Sequence, residues 1–537
     1  MKNTISLLDC TLRDGAYITN SFFGTPAIRG IIKELESARI DIIECGWLKD
    51  SLHEEGSSFF HIPSDIKTYL GKKQEGILYV AMIDWDRYNV LALPDCDGET
   101  IDAIRVVFPH GKHCEAIEVG HKIRERGYKV LFQAANTLAY TDKELMDLAD
   151  CMNDFQPESL SIVDTFGAMY FDDIDRIMIQ LDRHLDQKIA IGFHAHNNQQ
   201  LAFALSIRFI EFMKETGRNI IIDATLSGMG RGAGNATTEL VASYLNRKQH
   251  GNYDMNAIMD SIDIYMQGFH ERYTWGYSTP YFIAGLYQSH VNNISYLLKN
   301  HRTNAKDMRN IIESLTQEER RKYDYDLLEE KYIENQNRKI DDSMTVDVLK
   351  KSFEDRALLL IAPGKSADTQ EEKIQRFIKE TIPVTIAVNA VNRHYSPDYY
   401  FFTNIVRYEY AMTAYPDRLN QAKRILLSNI KTEGREDELI VNFNMVIKRG
   451  WEHFDNAVIL CLRLLNKLNV KNVYLAGFDG FKTYYNESYS DTSLPTLNPD
   501  GKWEELNEEI KDMFRDLRRS LEGKMDIQFI TESIFDI

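Results

Sequence analysis

The sequence predicts an α/β protein: a closed (β/α)8 barrel, or TIM barrel, followed by a helical extension and a second, Rossmann-like α/β domain. Three observations lead to this prediction. The 537 residues are too many for one hydrophobic core. Eight short apolar runs alternate with amphipathic segments over the first 226 residues. A similar alternation resumes near residue 356, after a charged stretch with helical spacing.

The eight apolar runs predict parallel strands. Each run is apolar nearly throughout and rich in β-branched residues, as strands covered on the outside by helices are. Eight βα units in about 240 residues favour closure into a barrel, and an open doubly wound sheet is the alternative. The runs are ISLLD (5–9), IDIIECG (40–46), ILYVAMID (77–84), AIRVVF (103–108), KVLFQAA (129–135), SLSIVDT (159–165), IAIGFHAH (189–196) and IIIDATL (220–226).

The remaining chain divides into two regions. Residues 251–351 are helical in spacing and highly charged, which predicts a helical extension and connector. New apolar runs from ALLLI (357–361) to VYLAGFDGF (473–481) predict a C-terminal α/β domain over 352–537. We therefore assign the barrel, as the catalytic domain, to residues 1–250.

Composition narrows the class of protein. Lys and Arg number 63 against 81 Asp and Glu, a formal net charge of -18 without a long run of either sign. This disfavours nucleic acids and anionic membranes as partners. No apolar stretch reaches the length of a membrane span and no leader is evident, so we expect a cytoplasmic enzyme.

The cysteines point to the same compartment. They lie far apart without a CxxC pair, which indicates reduced thiols rather than a disulfide framework or a thiolate metal site. The six are Cys10, Cys45, Cys96, Cys114, Cys151 and Cys461.

Polar residues gather where the predicted strands end. In a parallel barrel the carboxyl ends of all strands open on one rim, where the βα loops form the functional face. Residues that serve only as caps and turns would not concentrate there. Those at the predicted rim are Arg13, Asp14, Glu44, Gln133, Asp164, Thr165, His194, His196 and Asn235.

His194 and His196 stand one residue apart in the seventh run, GFHAHNN (192–198). Strand side chains alternate with period two, so both imidazoles leave the same face about 7 Å apart, a spacing that suits chelation. With Asp14 and Asn235 they can form one site for Mn²⁺, Mg²⁺ or Zn²⁺ with positions open for water or substrate. The alternative for Asp14 is a helix or turn cap.

The glycine-rich segment GMGRGAGN (228–235) contains a GxGxxG-like string, but it follows the eighth strand. A dinucleotide fingerprint opens a βαβ unit instead. We therefore predict a close backbone approach to a ligand here, and no NAD site.

Five motifs occur in order along the predicted barrel: DCTLRDG (9–15), IECG (43–46), VDTFGAM (163–169), GFHAHNN (192–198) and DATLSGMGRGAGN (223–235). Together they resemble the DRE-type metal-dependent TIM-barrel lyases, the HMGL-like superfamily. The resemblance spans roughly residues 4 to 295 and is closest to the 4-hydroxy-2-oxovalerate aldolase branch.

This resemblance implies a divalent ion held by Asp14, His194 and His196, with Asn235 as a further ligand. Manganese is the first choice, and Mg²⁺, Zn²⁺ and Co²⁺ are the alternatives. It also implies that Arg13 contacts the carboxylate or enolate oxygen of a 2-keto acid such as pyruvate. An ion and a guanidinium together can stabilise the enolate that forms when a C–C bond is cleaved or made.

The resemblance implies supporting roles for three more residues. Thr165 would lie near the substrate carboxylate and Glu44 would support the metal ligands. Tyr287, in AGLYQSH (284–290), would face the substrate, with packing in a helix as the alternative.

One residue departs from the aldolase pattern. Tyr17 stands where those aldolases place a histidine base, three residues after the metal aspartate. A tyrosine is a poor base at neutral pH unless a cation lowers its pKa. Either its polarised hydroxyl acts, or a water molecule or another residue such as His270 or His290 takes the proton, or the substrate differs.

The C-terminal domain resembles MptE-like and sialyltransferase-like α/β domains through APGKS (362–366), VNAVNRHYSPDYYFFTN (388–404) and VYLAGFDGF (473–481). That resemblance implies a nucleotide or nucleotide-sugar ligand near Asn389, Asp398 and Asp479. APGKS is not a P-loop, because Leu359 stands where the motif requires glycine. The alternative is a structural domain that mediates assembly.

The predicted function is a metal-dependent aldolase that makes or breaks a C–C bond beside a 2-keto acid, with an aldehyde as the second substrate. The first alternative is an acyl-CoA-dependent Claisen-type synthase on the same barrel. The second is a bifunctional enzyme of surface-polysaccharide sugar biosynthesis whose C-terminal domain is a nucleotide-handling transferase. A homo-oligomer or a partner dehydrogenase is also expected by resemblance.

Overall fold

The computed structural model describes residues 4–300, 303–336, 340–430, 432, 437–451, 453–482, 486–495 and 503–536. They form two compact units. The first unit comprises the chain up to Ile294 together with Gln317–Lys322, and the second comprises Ser295–Thr316 and the chain from Tyr323 onward. The division at residues 250 and 351 stays a prediction.

Parallel strands build the first unit. They are β1 (Ile5–Asp9), β2 (Ile42–Leu48), β3 (Phe59–Phe60), β4 (Leu78–Asp84), β5 (Ala103–Phe108), β6 (Lys129–Ala134), β7 (Ser159–Asp164), β8 (Ala190–Ala195) and β9 (Ile220–Ala224). The two-residue β3 pairs only with the end of β2. The other eight form a closed ring, because β1 pairs with both β2 and β9. The predicted barrel is confirmed, and the open sheet is excluded.

Amphipathic helices cover the outside of the barrel. In α6, the buried residues Ile174, Ile177, Met178 and Leu181 follow helical spacing and form one apolar stripe. The helices of this part of the chain are α1 (Thr11–Asp14), α2 (Ala16–Thr19), α3 (Thr25–Ser37), α4 (His113–Glu125), α5 (Asp142–Phe155), α6 (Phe171–His184), α7 (Ala202–Met213), α8 (Thr238–Arg247), α9 (Met255–Ser261), α10 (Gln267–Arg272), α11 (Thr279–Leu286) and α12 (Val291–Asn300).

The interior of the barrel has an apolar layer and a polar layer. Ile42, Ala103, Leu131 and Ile221 belong to one buried interior cluster. Because side chains of a strand alternate, the residues two positions further along also point inward. Those residues are Glu44, Arg105, Gln133 and Asp223, all buried. The polar layer therefore lies toward the carboxyl ends of the strands, on the rim that the sequence identified.

The second unit contains a seven-stranded parallel sheet in the order β14-β13-β12-β11-β10-β15-β16. Its strands are β10 (Leu358–Ile361), β11 (Val384–Val388), β12 (Tyr399–Phe402), β13 (Lys423–Leu427), β14 (Glu438–Val441), β15 (Asn472–Ala476) and β16 (Asp526–Phe529). The strand order reverses direction between β10 and β15, which is the doubly wound, Rossmann-like arrangement that we predicted.

The remaining helices are α13 (Ala305–Ser314), α14 (Gln317–Arg321), α15 (Tyr325–Gln336), α16 (Ser343–Phe353), α17 (Ser366–Thr369), α18 (Glu371–Thr381), α19 (Ile405–Ala414), α20 (Pro416–Leu419), α21 (Ala457–Lys467) and α22 (Trp503–Leu521). Within the described ranges, no helix combines the length and the apolar character needed to cross a membrane.

Asp398 lies apart from Asn389 and Asp479. It precedes β12, so it lies at the amino-terminal edge of the sheet, where its carboxylate accepts hydrogen bonds from the backbone N and the hydroxyl of Thr385 at 2.8 and 2.9 Å. The sequence places Asp398 next to a predicted strand but does not show at which end of the strand it lies. Asn389 and Asp479 follow β11 and β15 and do lie at the carboxyl edge.

Candidate metal centre and active site

Three of the predicted metal ligands meet at the rim of the barrel. The carboxylate of Asp14, at the end of α1, has its Oδ2 atom 3.5 Å from Nε2 of His194 and 3.9 Å from Nε2 of His196. The two imidazole rings lie 5.0 Å apart between centroids. Asp14 is fully buried, and one atom from each of the three residues lies within 4.8 Å of the others. This spacing can hold one cation.

Hydrogen bonds at the other ring nitrogens fix the tautomer of both histidines. Nδ1 of His194 lies 3.1 Å from the carboxylate of Asp223, and Nδ1 of His196 lies 3.0 Å from the carbonyl oxygen of Asp164. Both partners only accept, so Nδ1 carries the proton in each ring. Nε2 is thereby directed at Asp14, as in protein metal sites where an outer partner orients the histidine.

Several polar atoms of the predicted ligands lack hydrogen bonds within the described part of the chain. Both carboxylate oxygens of Asp14, Nε2 of His194 and Oδ1 of Asn235 are buried without a hydrogen-bond partner among the described residues. A buried polar atom without a partner costs about 1–3 kcal/mol, and more when it is charged. Asn235 forms a β-bridge with His196 and donates its Nδ2 to the carbonyl of Met229 at 2.9 Å, so its oxygen is the free end. These donors fit a divalent cation, and Asp14 is not a helix cap.

The pKa shifts also indicate a place for positive charge. Burial alone would raise the pKa of Asp14, but Arg13 and the two histidines hold it well below its usual value. Burial lowers the pKa of His194, yet the adjacent carboxylates of Asp14 and Asp223 outweigh it and raise that pKa. Burial lowers the pKa of His196 to about 4, which keeps its Nε2 available as a ligand. A bound cation would take the place of the Nε2 proton of His194.

Arg13 is held beside Asp14 by two carboxylates. Its Nη1 lies 3.1 Å from Oδ1 of Asp14, and its Nε donates to Oε2 of Glu44 at 2.8 Å. Asp14 and Glu44 raise the pKa of Arg13 well above its usual value against the effect of burial. The charged guanidinium is therefore fixed within reach of any group bound next to Asp14.

Two charged residues that the sequence reasoning missed close this arrangement into a ring. Nη1 of Arg105 lies 2.9 Å from Oε2 of Glu44, and its Nη2 pairs with the carboxylate of Asp223. Asp223 in turn holds His194. We call this the charge ring: Arg13, Glu44, Arg105, Asp223, His194 and Asp14, each in contact with the next.

When His194 is neutral, the charge ring has one more negative charge than positive charges. It contains three buried carboxylates and two buried guanidiniums. A buried charge without compensation is costly, so a cation in the space beside Asp14 would stabilise the ring. The signal for the missed residues was present, because AIRVVF and IIIDATL each carry one charge at an inward-facing strand position.

Tyr17 lies at the mouth of the site. Its ring packs edge-on against Trp47, with centroids 5.8 Å apart, and the guanidinium of Arg231 lies 3.8 Å from its centroid. The residue is 38% exposed, yet desolvation around it raises the pKa of Tyr17 to about 12. The hydroxyl therefore stays protonated at neutral pH. Arg231, whose buried Nε has no hydrogen-bond partner in the described chain, adds positive charge to this mouth.

The structure gives the other two predicted residues different partners. The hydroxyl of Thr165 accepts a hydrogen bond from the backbone N of Asn136 at 2.6 Å. Tyr287 directly follows α11, with the guanidinium of Arg320 5.3 Å from its ring centroid. Their roles toward a substrate stay predictions.

The two alternative histidines lie in different surroundings. The ring of His270 stacks on Trp275 at 3.6 Å and the residue is exposed. Burial, with the charges of Arg231 and His196, lowers the pKa of His290 to about 3. Nδ1 of His290 accepts from the backbone N of Asn292 at 3.1 Å, so its Nε2 carries the proton. The group that takes the proton stays a prediction.

The first half of the chain is similar to known proteins. Residues 113–264 match the HMGL-like family. The 4-hydroxy-2-oxovalerate aldolase 2 of Salinispora arenicola is 29% identical over 268 residues, 46% of this chain and 70% of that protein. The oxaloacetate decarboxylase of Mycobacterium tuberculosis is 24% identical over 272 residues, 49% of this chain and 76% of that protein. Among solved structures, the HMG-CoA lyase from Brucella melitensis aligns with a TM-score of 0.39 at 14% identity, covering 50% of this chain and 99% of that one.

Proposed function

Because the barrel of this protein carries an HMGL-like domain, we propose that the protein is a divalent-metal-dependent aldolase acting beside the carbonyl of a 2-keto acid such as pyruvate. The observation that carries the proposal is the group of converging ligand atoms at the rim, of which both carboxylate oxygens of Asp14 and Nε2 of His194 have no hydrogen-bond partner among the described residues. Asp14 and the Nε2 atoms of two oriented histidines surround one space, and a fixed guanidinium stands next to it. A 2-keto acid offers two adjacent oxygens to such a cation and guanidinium.

Each residue has a distinct part in this proposal. Asp14, His194 and His196 would hold the ion, with Asn235 as a further oxygen ligand. When bound, a divalent ion supplies Lewis-acid polarisation of the keto group. Arg13 would donate hydrogen bonds to the enolate oxygen, which gains negative charge as the C–C bond breaks and loses it as the bond forms. Glu44 and Arg105 are positioning residues, because they touch Arg13 and Asp223 rather than the open space.

The function is tested first by removing and restoring the ion. Dialysis against a chelator is expected to abolish turnover in a screen of pyruvate against a panel of aldehydes, with products detected by mass. Adding Mn²⁺ should restore it, and Mg²⁺, Zn²⁺ and Co²⁺ form the comparison series. Oxaloacetate is tested separately without an aldehyde, because its loss of CO₂ leaves the same enolate. Activity that is indifferent to chelation would contradict the proposal.

Substitution of Tyr17 tests whether this residue is the general base. Since a pKa of about 12 keeps this phenol protonated, Tyr17→Phe is expected to lower kcat/KM by less than about tenfold, whereas loss of a general base costs about 10²-fold to 10⁴-fold. The matched control is Tyr244→Phe, a tyrosine on α8 whose hydroxyl bonds Glu211. A loss of about a hundredfold or more confined to Tyr17→Phe would make this tyrosine the base.

The acyl-CoA-dependent Claisen reaction is the competing use of the same barrel. It would need the same cation and the same arginine, so the metal test does not separate the two. Release of a thiol from acetyl-CoA in the presence of 2-keto acids does separate them. We expect no thiol release above background with the metal-loaded protein.

A further inference from the structure

The second unit has a pocket at the point where the strand order of its sheet reverses. Open α/β sheets bind ligands outside the carboxyl ends of their strands at such a switch point. Here the switch lies between β10 and β15, and the pocket is lined by the loops that follow these two strands, by Asn389 after β11 and by the first residues of α19 and α21. We propose that this pocket binds the phosphoryl group of an organic phosphate, with Arg407 as its cation.

Arg407 is the residue that points to a ligand. It lines the pocket and is only 4% exposed. Its Nη1 is buried without a hydrogen-bond partner among the described residues. The guanidinium lies 4.9 Å from the ring centroid of Tyr489, a contact that orients it but does not neutralise its charge. A buried guanidinium without a carboxylate is costly unless an anion pairs with it.

Two helix N-termini face the same space. Asn404 caps α19 by accepting from the backbone N of Arg407 at 2.9 Å, and Asn456 caps α21 by accepting from Val458 N and Ile459 N at 3.1 and 3.2 Å. Both asparagines line the pocket. The helix macrodipole places positive potential at an N-terminus, and the free N–H groups there suit phosphate oxygens. Arg407 and two helix ends therefore favour the same kind of ligand.

The carboxylate of Asp479, which lines the pocket, already accepts hydrogen bonds within the protein. Asp479 accepts from the backbone N of Ser366 at 2.7 Å and from the hydroxyl of the same serine. Gly364 and Gly477 allow this close approach, since a Cβ on Gly364 would lie 2.3 Å from the carbonyl oxygen of Gly477. Asp479 thus joins two loops and does not pair with Arg407.

The size and the walls of the pocket define the ligand class. The cavity measures about 90 Å³, which is small beside the 300–1,000 Å³ that encloses a drug-sized ligand. It can enclose a phosphoryl or diphosphate group while the rest of the ligand extends outward. Phe478, Phe481 and Tyr489 provide an apolar wall for that part. A nucleotide, a nucleotide-sugar and a simple sugar phosphate share this phosphoryl chemistry.

Binding of defined phosphates to the full-length protein tests the proposal. The ligands titrated by calorimetry are inorganic phosphate, pyrophosphate, UDP and glucose 1-phosphate, each up to about 10 mM. A dissociation constant above this concentration corresponds to a binding free energy of less than about 3 kcal/mol. We expect at least one to saturate a single site. Tighter binding of UDP than of pyrophosphate would indicate a nucleotide, and tighter binding of glucose 1-phosphate a sugar phosphate. If none saturates, the proposal is overturned.

Two variants locate the site. Arg407→Gln is expected to weaken binding about tenfold to a hundredfold, the range for a hydrogen bond to a charged group. Asn456→Asp keeps an N-cap residue but adds a negative charge inside the pocket, so it should also weaken binding. The matched controls are Arg463→Gln, an arginine of α21 with one buried nitrogen that has no partner in the described chain, and Asn442→Asp, a cap outside the pocket.

Both controls should bind as the unmodified protein does, with the thermal unfolding midpoint as the check on folding. If binding is unchanged in both Arg407→Gln and Asn456→Asp, the phosphate binds elsewhere and the proposal is wrong. If Arg407→Gln does not fold, Asn456→Asp alone decides.

Discussion

Replacing His194 with alanine is expected to remove the bound divalent ion and the aldolase activity together. In the proposed centre the imidazole would supply one ligand directly, and its loss also separates Asp223 from Asp14 in the charge ring. Lewis-acid polarisation contributes several kcal/mol to such reactions, so kcat/KM should fall by about a thousandfold or more. Metal content per protein chain, measured by mass spectrometry on the same sample, should fall in parallel.

The control for this prediction is His250→Ala, which changes an exposed histidine after α8. It should keep both the ion and the rate. If the His194 variant keeps a full complement of metal, or loses the metal while turnover persists, then the proposed centre is not the catalytic one.

Replacing Arg13 with alanine is expected to separate metal binding from catalysis. Arg13 contacts Asp14 through one nitrogen, but the two histidines and the carboxylate remain. Metal content should stay near that of the unmodified protein. The rate should fall about 10²-fold to 10³-fold, the usual cost of removing one donor to a developing oxyanion.

Arg13→Lys refines this test, because lysine keeps the charge but cannot make the two-pronged contact to Glu44 and a substrate oxygen. We expect it to recover only part of the rate. The control is Arg208→Ala on α7, an exposed arginine that pairs with Asp175. An Arg13→Ala variant with unchanged kcat would assign the oxyanion contact to another group.

The fold of the barrel could be predicted because parallel strands have an unusual sequence. Strands covered by helices are apolar throughout, and each predicted run matched an observed strand within about two residues at either end. In the second unit, β16 was missed. Its four residues, DIQF (526–529), are half polar and lie at the edge of the sheet, so they lack the signal that the central strands give.

The grouping of Asp14, His194 and His196 could be predicted because the strand period constrains the two histidines locally. His194 and His196 share a face by their spacing alone, and Asp14 follows β1 at the same rim. Arg105 and Asp223 could not be assigned in the same way. Each is a single charged residue within an apolar run, and its structural role depends on a partner from a strand that is distant in sequence.

Tyr17 shows a second limit. The sequence gives the residue type but not the surroundings that set its pKa. The ring lies against Trp47 and under the guanidinium of Arg231, which comes from the loop after β9. Desolvation raises the pKa of Tyr17 despite that nearby cation. The balance between desolvation and the charge of Arg231 depends on how segments distant in sequence pack around the ring.

The charge ring also constrains how the chain reaches its native state. Its members come from the first strand segment, from β2 and β5 in the middle, and from the last two strands of the barrel. The contacts between Asp14 and His194, and between Arg105 and Asp223, therefore close long loops, which form late in folding. A nascent chain that has not yet added β9 lacks Asp223 and cannot orient His194, so a competent centre first exists when synthesis and closure of the barrel are complete.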